Sequence, residues 1–311
     1  MWWAYASAIE FHTSQTLDPG SEVERFIHMN PDNVNAYRDV LADPHLRPRT
    51  IGGMWHPKLY SPVEDAGKLV ILHFHGGAYV LGGCRPLEGG WGPNELAKCV
   101  SGFGLCPQYH LTLDDDGRFP AAIQDGVTAY RYLLAKGVSA SNIVLSGDSA
   151  GGNLTITLLR YLVEHEGVMQ LPRAVLLWSP WLDVGADWEL VKKNSNFKTD
   201  YLPCSLAKWA SNAYTRCVPA NHRYISPLNN EFATKVPLFL YTGTAGVQYD
   251  DHMKFADAMN RIPCNRLEVY ECVDAPHDIM AAGVILGWKE EAFAAMEAGS
   301  TFVRKEKERL N

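Results

Sequence analysis

The chain carries no long run of one charge, no C-x-x-C pair, no internal repeat or low-complexity tract, and no apolar stretch long enough to span a membrane. Each absence removes a class of protein. Lys and Arg total 28 against 35 Asp and Glu, for a net charge of −7, so nucleic acid is not an expected partner. The densest charged run, residues 304–309, alternates in sign and reads as a solvated helix end. The 7 cysteines are odd in number and lack metal-site spacing. That argues against a disulfide framework or a zinc site and predicts reduced, buried thiols. The apolar start of the chain is broken at Glu10 and lacks a basic n-region. No signal peptide and no stable membrane insertion are expected, and a cytoplasmic location follows.

What is present suits one large α/β domain. The chain has 311 residues, 47% of them hydrophobic, enough for a full core without division. Short continuous apolar runs at 69–74, 100–105, 142–145, 174–178, 238–241 and 266–270 read as strands buried on both faces of a parallel sheet. Between them, Ile123, Val127, Tyr130 and Leu134 fall at helical spacing, as do Leu154, Leu158 and Leu162. Strand–helix alternation predicts a doubly wound sheet. Two segments break the rhythm: residues 1–50, and residues 183–235, which separate two strands by more than a crossover needs. The expected organisation is an N-terminal cap segment (1–50), two parts of a catalytic domain (51–182 and 236–311) and a cap insertion (183–235). The insertion's aromatics, Trp188, Phe197, Tyr201, Trp209, Tyr214 and Tyr224, would either line a lid over the active site or build a small core of their own.

The chemistry concentrates in three places. Gly147-Asp148-Ser149-Ala150-Gly151 fits G-x-S-x-G and lies between an apolar run and a helical pattern, the strand–turn–helix setting of a nucleophile elbow. Ser149 is the expected nucleophile, and a hydroxyl needs a base beside it. His75-Gly76-Gly77-Ala78-Tyr79 follows another strand. Its small residues let backbone N–H groups point at one spot, and the expected oxyanion donors are Gly76, Gly77 and Ala150, each worth ~3 kcal/mol of barrier. His75 is expected to orient the loop, because the His73/His75 pair has no further ligands to make a metal site. His277 follows the last predicted strand, where a base belongs in the chain order Ser…acid…His. Asn153-Leu154-Thr155 matches a glycosylation sequon but falls within the predicted helix after Ser149, so it is expected to be buried and unmodified.

These motifs, together with Phe119-Pro120-Ala121-Ala122 and Ser179-Pro180-Trp181-Leu182-Asp183, resemble the hormone-sensitive-lipase-like branch of the α/β-hydrolases. The resemblance covers about residues 65–285. It implies the α/β-hydrolase fold: an eight-stranded, mostly parallel sheet flanked by helices, with a helical cap built from the N-terminus and the insertion. It implies cofactor-free esterase chemistry on small hydrophobic esters, and it permits monomers and homodimers. The chain departs from the family pattern at Tyr109-His110-Leu111-Thr112-Leu113-Asp114 and, more seriously, at the triad acid. The family places that acid four residues before an acidic pair. Here the pair is Asp250-Asp251 and the acid position is Gly246.

Three explanations stand open: Asp250 reaches His277 through a rearranged loop, the acid is lost by nature or by design, or the loop alignment is displaced. Loss would leave the imidazole without its tautomer-fixing partner, at a cost of ~10⁴ in turnover. The first expectation is therefore a serine esterase. The alternative is a repurposed enzyme of the same fold, a dehydratase or cyclase of specialised metabolism, with His277 as general base and the oxyanion pocket polarising a carbonyl. A pure small-molecule receptor is a third reading, weakened by the presence of both Ser149 and His277.

Overall fold

The computed structural model describes residues 15–309 apart from Asn33, Leu87 and Cys217. The start of the chain, on which the expectation of no signal peptide rests, lies outside the described residues. Eight strands form one sheet: β1 (Phe26–Met29), β2 (Ile51–His56), β3 (Val70–Phe74), β4 (Phe103–Gln108), β5 (Ile143–Asp148), β6 (Ala174–Trp178), β7 (Leu238–Gly243) and β8 (Leu267–Cys272). Their spatial order is β1-β2-β4-β3-β5-β6-β7-β8. β2 pairs antiparallel with β1 and β4, and every other pairing is parallel. The helices are α1 (Trp91–Cys99), α2 (Ala121–Ala135), α3 (Ser149–Glu164), α4 (Trp188–Val191), α5 (Cys204–Thr215), α6 (Tyr249–Asn260), α7 (Ile279–Leu286) and α8 (Lys289–Arg309).

Side-chain alternation sorts the core into two layers. Val70, Leu72, Ile143, Leu145, Val175, Leu177, Leu238 and Leu240 face α2, α3 and α6. The intervening Ile71, Val144, Leu176, Phe239 and Tyr241 face α1, α7 and α8. A period of two on strands covered on both sides makes both sets apolar, which is why these strands read as continuous hydrophobic runs.

β1 and β2 escaped the reading of apolar runs because β2 contains Gly52 and Gly53. A Cβ on Gly52 would strike the Phe26 ring, and one on Gly53 would lie 2.6 Å from the Met29 side chain. The glycines that weaken the strand signal are what let β1 pack. β4 begins at Phe103 rather than 100, because α1 is still being closed there. Val100 N–H bonds to Leu96 O, and Ser101 turns left-handed at φ 51°.

Only residues 15–50 of the N-terminal segment can be placed relative to the cavity at Ser149. Residues 1–14 are not described, and none of residues 15–50 lines the cavity at Ser149. That part instead docks on α2 and α3: Gln124 donates to the carbonyls of Leu41 and Leu46, and Tyr161 OH donates to Ala36 O. The insertion's aromatics build no separate core. Trp188, Tyr214 and Tyr224 are buried in the main core, and Tyr214 stacks flat on Tyr79 with ring centroids 3.9 Å apart. Leu202 and Leu206 of the same insertion line the cavity at Ser149. Two further expectations need correction. Glu306 is not solvated but buried in an ion pair with Arg266. Among the described cysteines, all free, Cys264 is exposed. No helix of the described residues is long and apolar enough to cross a membrane.

Candidate active site

Ser149 stands at the turn from β5 into α3 with φ 49°, a left-handed conformation costly for a residue with a Cβ. The flanking glycines make this turn possible. A Cβ on Gly147 would run into the Gly151 carbonyl, and a Cβ on Gly151 into the Phe74 carbonyl of β3. Trp181 N–H holds the backbone of the turn through Ser149 O at 2.9 Å. The hydroxyl is thereby lifted off the carboxyl end of the sheet into the space below the insertion.

His277 lies in the loop between β8 and α7, 3% exposed. Its Nε2 is 2.9 Å from Ser149 Oγ, the contact a base needs to take a hydroxyl proton. Burial holds its pKa below the ordinary histidine range, and the negative charges of Asp200 and Asp148 oppose that shift. The imidazole is therefore neutral near pH 7 and able to accept a proton. Its Nδ1 is buried without a hydrogen-bond partner.

The loop after β3 runs through three consecutive left-handed residues, Gly77 (φ 108°), Ala78 (φ 55°) and Tyr79 (φ 64°). It is tied down from several sides. Tyr109 OH donates to His75 O at 2.7 Å and its ring stacks on the imidazole. His75 Nδ1 bonds to Gly76 O at 2.7 Å, and burial lowers the His75 pKa to about 4, so that ring is a neutral strut. Tyr79 OH donates to the Asn153 side chain at 2.7 Å. Asn153 is fully buried, with its amide nitrogen committed to Trp181 O and Ile225 O, so the sequon is inaccessible.

The expected donor set needs one correction. Gly76 N–H is already used: it donates to Asp148 Oδ2 at 2.7 Å. The carboxylate before Ser149 thus takes the first amide of the loop, and the next two residues, Gly77 and Ala78, follow it beside the cavity. Both residues line that space together with Ser149, as does the start of α3, where the first-turn N–H of Ala150 has no intrahelical acceptor.

Beneath the elbow lies a second polar cluster that the motifs did not reveal. Trp178 Nε1–H can only donate, and it does so to Ser146 Oγ. That leaves the Ser146 hydroxyl proton for His73 Nδ1 and directs His73 Nε2–H to Asp148 Oδ1, both at 3.0 Å. Burial pushes the Asp148 carboxyl up, but its bonds to His73 and Asp278 outweigh this and hold it below the ordinary range. Burial and the neighbouring Asp148 push the Asp278 carboxyl well above the ordinary range.

The acid side of the site is rearranged. A Cβ on Gly246 would stand 3.3 Å from His277 N and 3.6 Å from His277 Cα, so this position does face the histidine and its side chain is missing. Asp250 is not brought to His277. It is exposed in the first turn of α6, where helical backbone already carries it away from the loop. What meets the 244–247 loop is the insertion. Asn196 Nδ2 donates to Thr244 O at 2.8 Å and Gly246 O at 3.0 Å, and Thr199 Oγ1 donates to Ala245 O at 2.9 Å. Asp200 accepts from Val247 N at 2.7 Å, from Tyr201 N at 2.7 Å and from His277 N at 3.3 Å.

Ser149 and His277 open on a cavity of about 300 Å³. Its apolar walls include Leu81, Leu202, Leu206 and Met280.

Comparison with known proteins agrees with this geometry. A family model for the alpha/beta hydrolase fold matches residues 71–281, more than half of the chain. An acetyl-hydrolase of Streptomyces hygroscopicus is 29% identical over 195 residues, covering 61% of this chain and 61% of that protein. The chain thus spans less than two thirds of that relative's length. An ethyl acetate hydrolase of Pseudomonas putida is 25% identical over 300 residues, covering 91% and 85%. Among solved structures, an esterase from the bacterial hormone-sensitive lipase family superposes with a TM-score of 0.69 at 27% identity, covering 82% of this chain and 81% of that one.

Proposed function

The chain belongs to the alpha/beta hydrolase fold family, in its hormone-sensitive-lipase-like branch, and from that premise we propose that it hydrolyses small, short-chain carboxylic esters through Ser149 and His277. The observation that carries this reading is the 2.9 Å contact between Ser149 Oγ and His277 Nε2 at a mainly apolar cavity. Ser149 Oγ attacks the ester carbonyl while its proton passes to His277 Nε2. The N–H groups of Gly77, Ala78 and Ala150 receive the negative charge that develops on the carbonyl oxygen, where each well-aimed donor is worth ~3 kcal/mol. The C–O bond then breaks, the alkoxide leaves with the proton from His277, and an acyl-serine remains. Water adds to that acyl group by the same steps in reverse, with His277 again taking the proton.

The volume of about 300 Å³ lies at the small end of ligand pockets and favours acetyl or butyryl groups over long acyl chains. The relatives named for acetyl and ethyl acetate hydrolysis support the same size class. The vacated position at Gly246 favours a second reading, proton transfer by His277 in an elimination or cyclisation without an acyl-enzyme. p-Nitrophenyl acetate turnover and labelling by a fluorophosphonate separate the two. Hydrolysis and labelling in the parent, both abolished in Ser149→Ala, are the expected result. A folded parent that does neither removes the esterase reading.

A further inference from the structure

We infer that Asp200, carried by the insertion and not by the strand-end loop, is the carboxylate that positions His277 in place of the missing side chain at residue 246. The inference rests on the hydrolytic reading for its rate measurements and on geometry for the rest.

Gly246 and Asp200 compete for the same ground. A side chain at 246 would start 3.3 Å from His277 N, and Asp200 Oδ1 already accepts from that N–H at 3.3 Å. Asp200 Oδ2 accepts from Val247 N, the residue next to the vacancy. The carboxylate thus bridges the 246–247 turn and the histidine, which is the span a triad acid covers. The histidine for its part has an unmet need: Nδ1 is buried and has no partner. Asp200, which accepts from the backbone N–H of His277, is a carboxylate within hydrogen-bond distance of that residue.

The placement does not depend on Asp200 alone. Asn196 and Thr199 fasten the same segment to the carbonyls of Thr244, Ala245 and Gly246, so the insertion is docked on the acid loop before Asp200 makes any bond. The other nearby carboxylates are committed. Asp148 serves His73 and Gly76 N–H. Asp278 faces Asp148 and caps α7 through Ala281 N. Asp250 is exposed in α6. A further consequence is that the acid and the cavity wall share one segment, since Tyr201 and Leu202 line the cavity. Movement of the insertion would open the site and remove the acid together.

The test is a cycle of Asp200→Asn, Gly246→Asp and the double variant, read as p-nitrophenyl acetate hydrolysis across pH. Asp200→Asn is expected to lower kcat by about 10²–10⁴ with little change in KM, the range that loss of a triad acid produces. The titratable groups around His277 are Asp200, Tyr201, Asp148, Asp278 and His252. The negative charge of Asp200 favours the protonated imidazole of His277, so its removal moves the acid limb of kcat/KM to lower pH. The limb reports the nearby charge of Asp200, and the Nδ1 tautomer described below separates a carboxylate bonded to the ring from one that is only close to it. Gly246→Asp is expected to give no gain in the parent, where it crowds Asp200, and at least a tenfold gain in Asp200→Asn. The inference is overturned if Gly246→Asp raises the parent by orders of magnitude, or if Asp200→Asn leaves the rate and the acid limb unchanged.

A measurement on the parent alone covers the case of a variant that does not fold. In ¹⁵N NMR, with the His277 signal assigned by its loss in His277→Gln, a carboxylate partner requires the Nδ1–H tautomer with a strongly downfield proton. An Nε2–H tautomer overturns the assignment. If the folded parent neither hydrolyses the ester nor reacts with the phosphonate, the hydrolytic reading fails, and the NMR result still decides the role of Asp200.

Discussion

Replacement of Asn153 by alanine should destabilise the whole site, because this one amide joins four separate pieces of chain. Its Oδ1 accepts from Tyr79 OH in the loop after β3 at 2.7 Å. Its Nδ2 donates to Trp181 O beyond β6 at 2.7 Å and to Ile225 O in the insertion at 2.8 Å. The residue is fully buried, so water cannot replace the lost bonds without entering the core. Each bond contributes about 1 kcal/mol net, and each orphaned buried partner costs about 1–3 kcal/mol. Three bonds give an expected loss of about 3–5 kcal/mol, a large share of the roughly 5–15 kcal/mol typical of folded proteins. With an unfolding entropy of roughly 2.1 cal/mol/K per residue, 311 residues translate this into a Tm about 5–8 °C lower. Urea denaturation at pH 7, followed by tryptophan fluorescence and by far-ultraviolet circular dichroism, measures it directly. Asn153→Asp keeps the acceptor for Tyr79 but sets an oxygen against two carbonyls, so it should fare no better than alanine. A loss below about 1 kcal/mol for both variants would show that the network is slack and would refute the reasoning.

The remaining predictions concern pH and substrate size. His252 is buried, with Nδ1 facing Thr242 Oγ1 and Nε2 facing Pro180 O, and burial lowers its pKa to about 3. A histidine whose folded pKa lies below its unfolded value loses stability as pH falls below about 6.5, at ~1.4 kcal/mol per pH unit. His252→Gln should therefore be less stable than the parent at pH 7, with the gap narrowing by about 2 kcal/mol at pH 5. An unchanged gap in urea titrations at the two pH values would mean that the imidazole is protonated in the fold. Leu206 lines the cavity with Ser149, so Leu206→Ala should raise the hexanoate-to-acetate ratio of kcat/KM by about tenfold, the worth of roughly one or two methylenes in an apolar pocket. An unchanged ratio would place the acyl group elsewhere.

The relation between sequence and structure differs from part to part of this molecule. Ser149, His277 and the loop at 75–79 were legible because their chemistry constrains adjacent residues. The elbow tolerates nothing but glycine at 147 and 151, where a Cβ meets backbone carbonyls, and such a constraint writes itself into a short motif. The strands β3, β5, β6 and β7 were legible because burial on both faces favours apolar residues at nearly every position, whereas the edge strand β8 carries exposed Glu268 and Glu271. β1 and β2 were not, since their pairing depends on Phe26 and Met29 filling the space over Gly52 and Gly53, residues more than twenty positions away. Of the expected oxyanion donors, Gly76 was read without the acceptor that engages it. Counting small residues after His75 does not show that Asp148, seventy-two positions on, takes the first amide.

The sequence alone thus determined the fold class, the sharp turn at Ser149, the place of His277 after the last strand and the glycine at the acid position 246, all features set by local backbone geometry or by the burial pattern along a strand. Only the tertiary structure decided what stands near His277 in the place of that acid. Asp200 lies seventy-seven residues before His277, in a segment with no motif of its own. Its placement comes from side-chain bonds between the insertion and the 244–247 loop. Contacts of that kind join surfaces that meet only after the chain has folded, so no spacing along the chain records them.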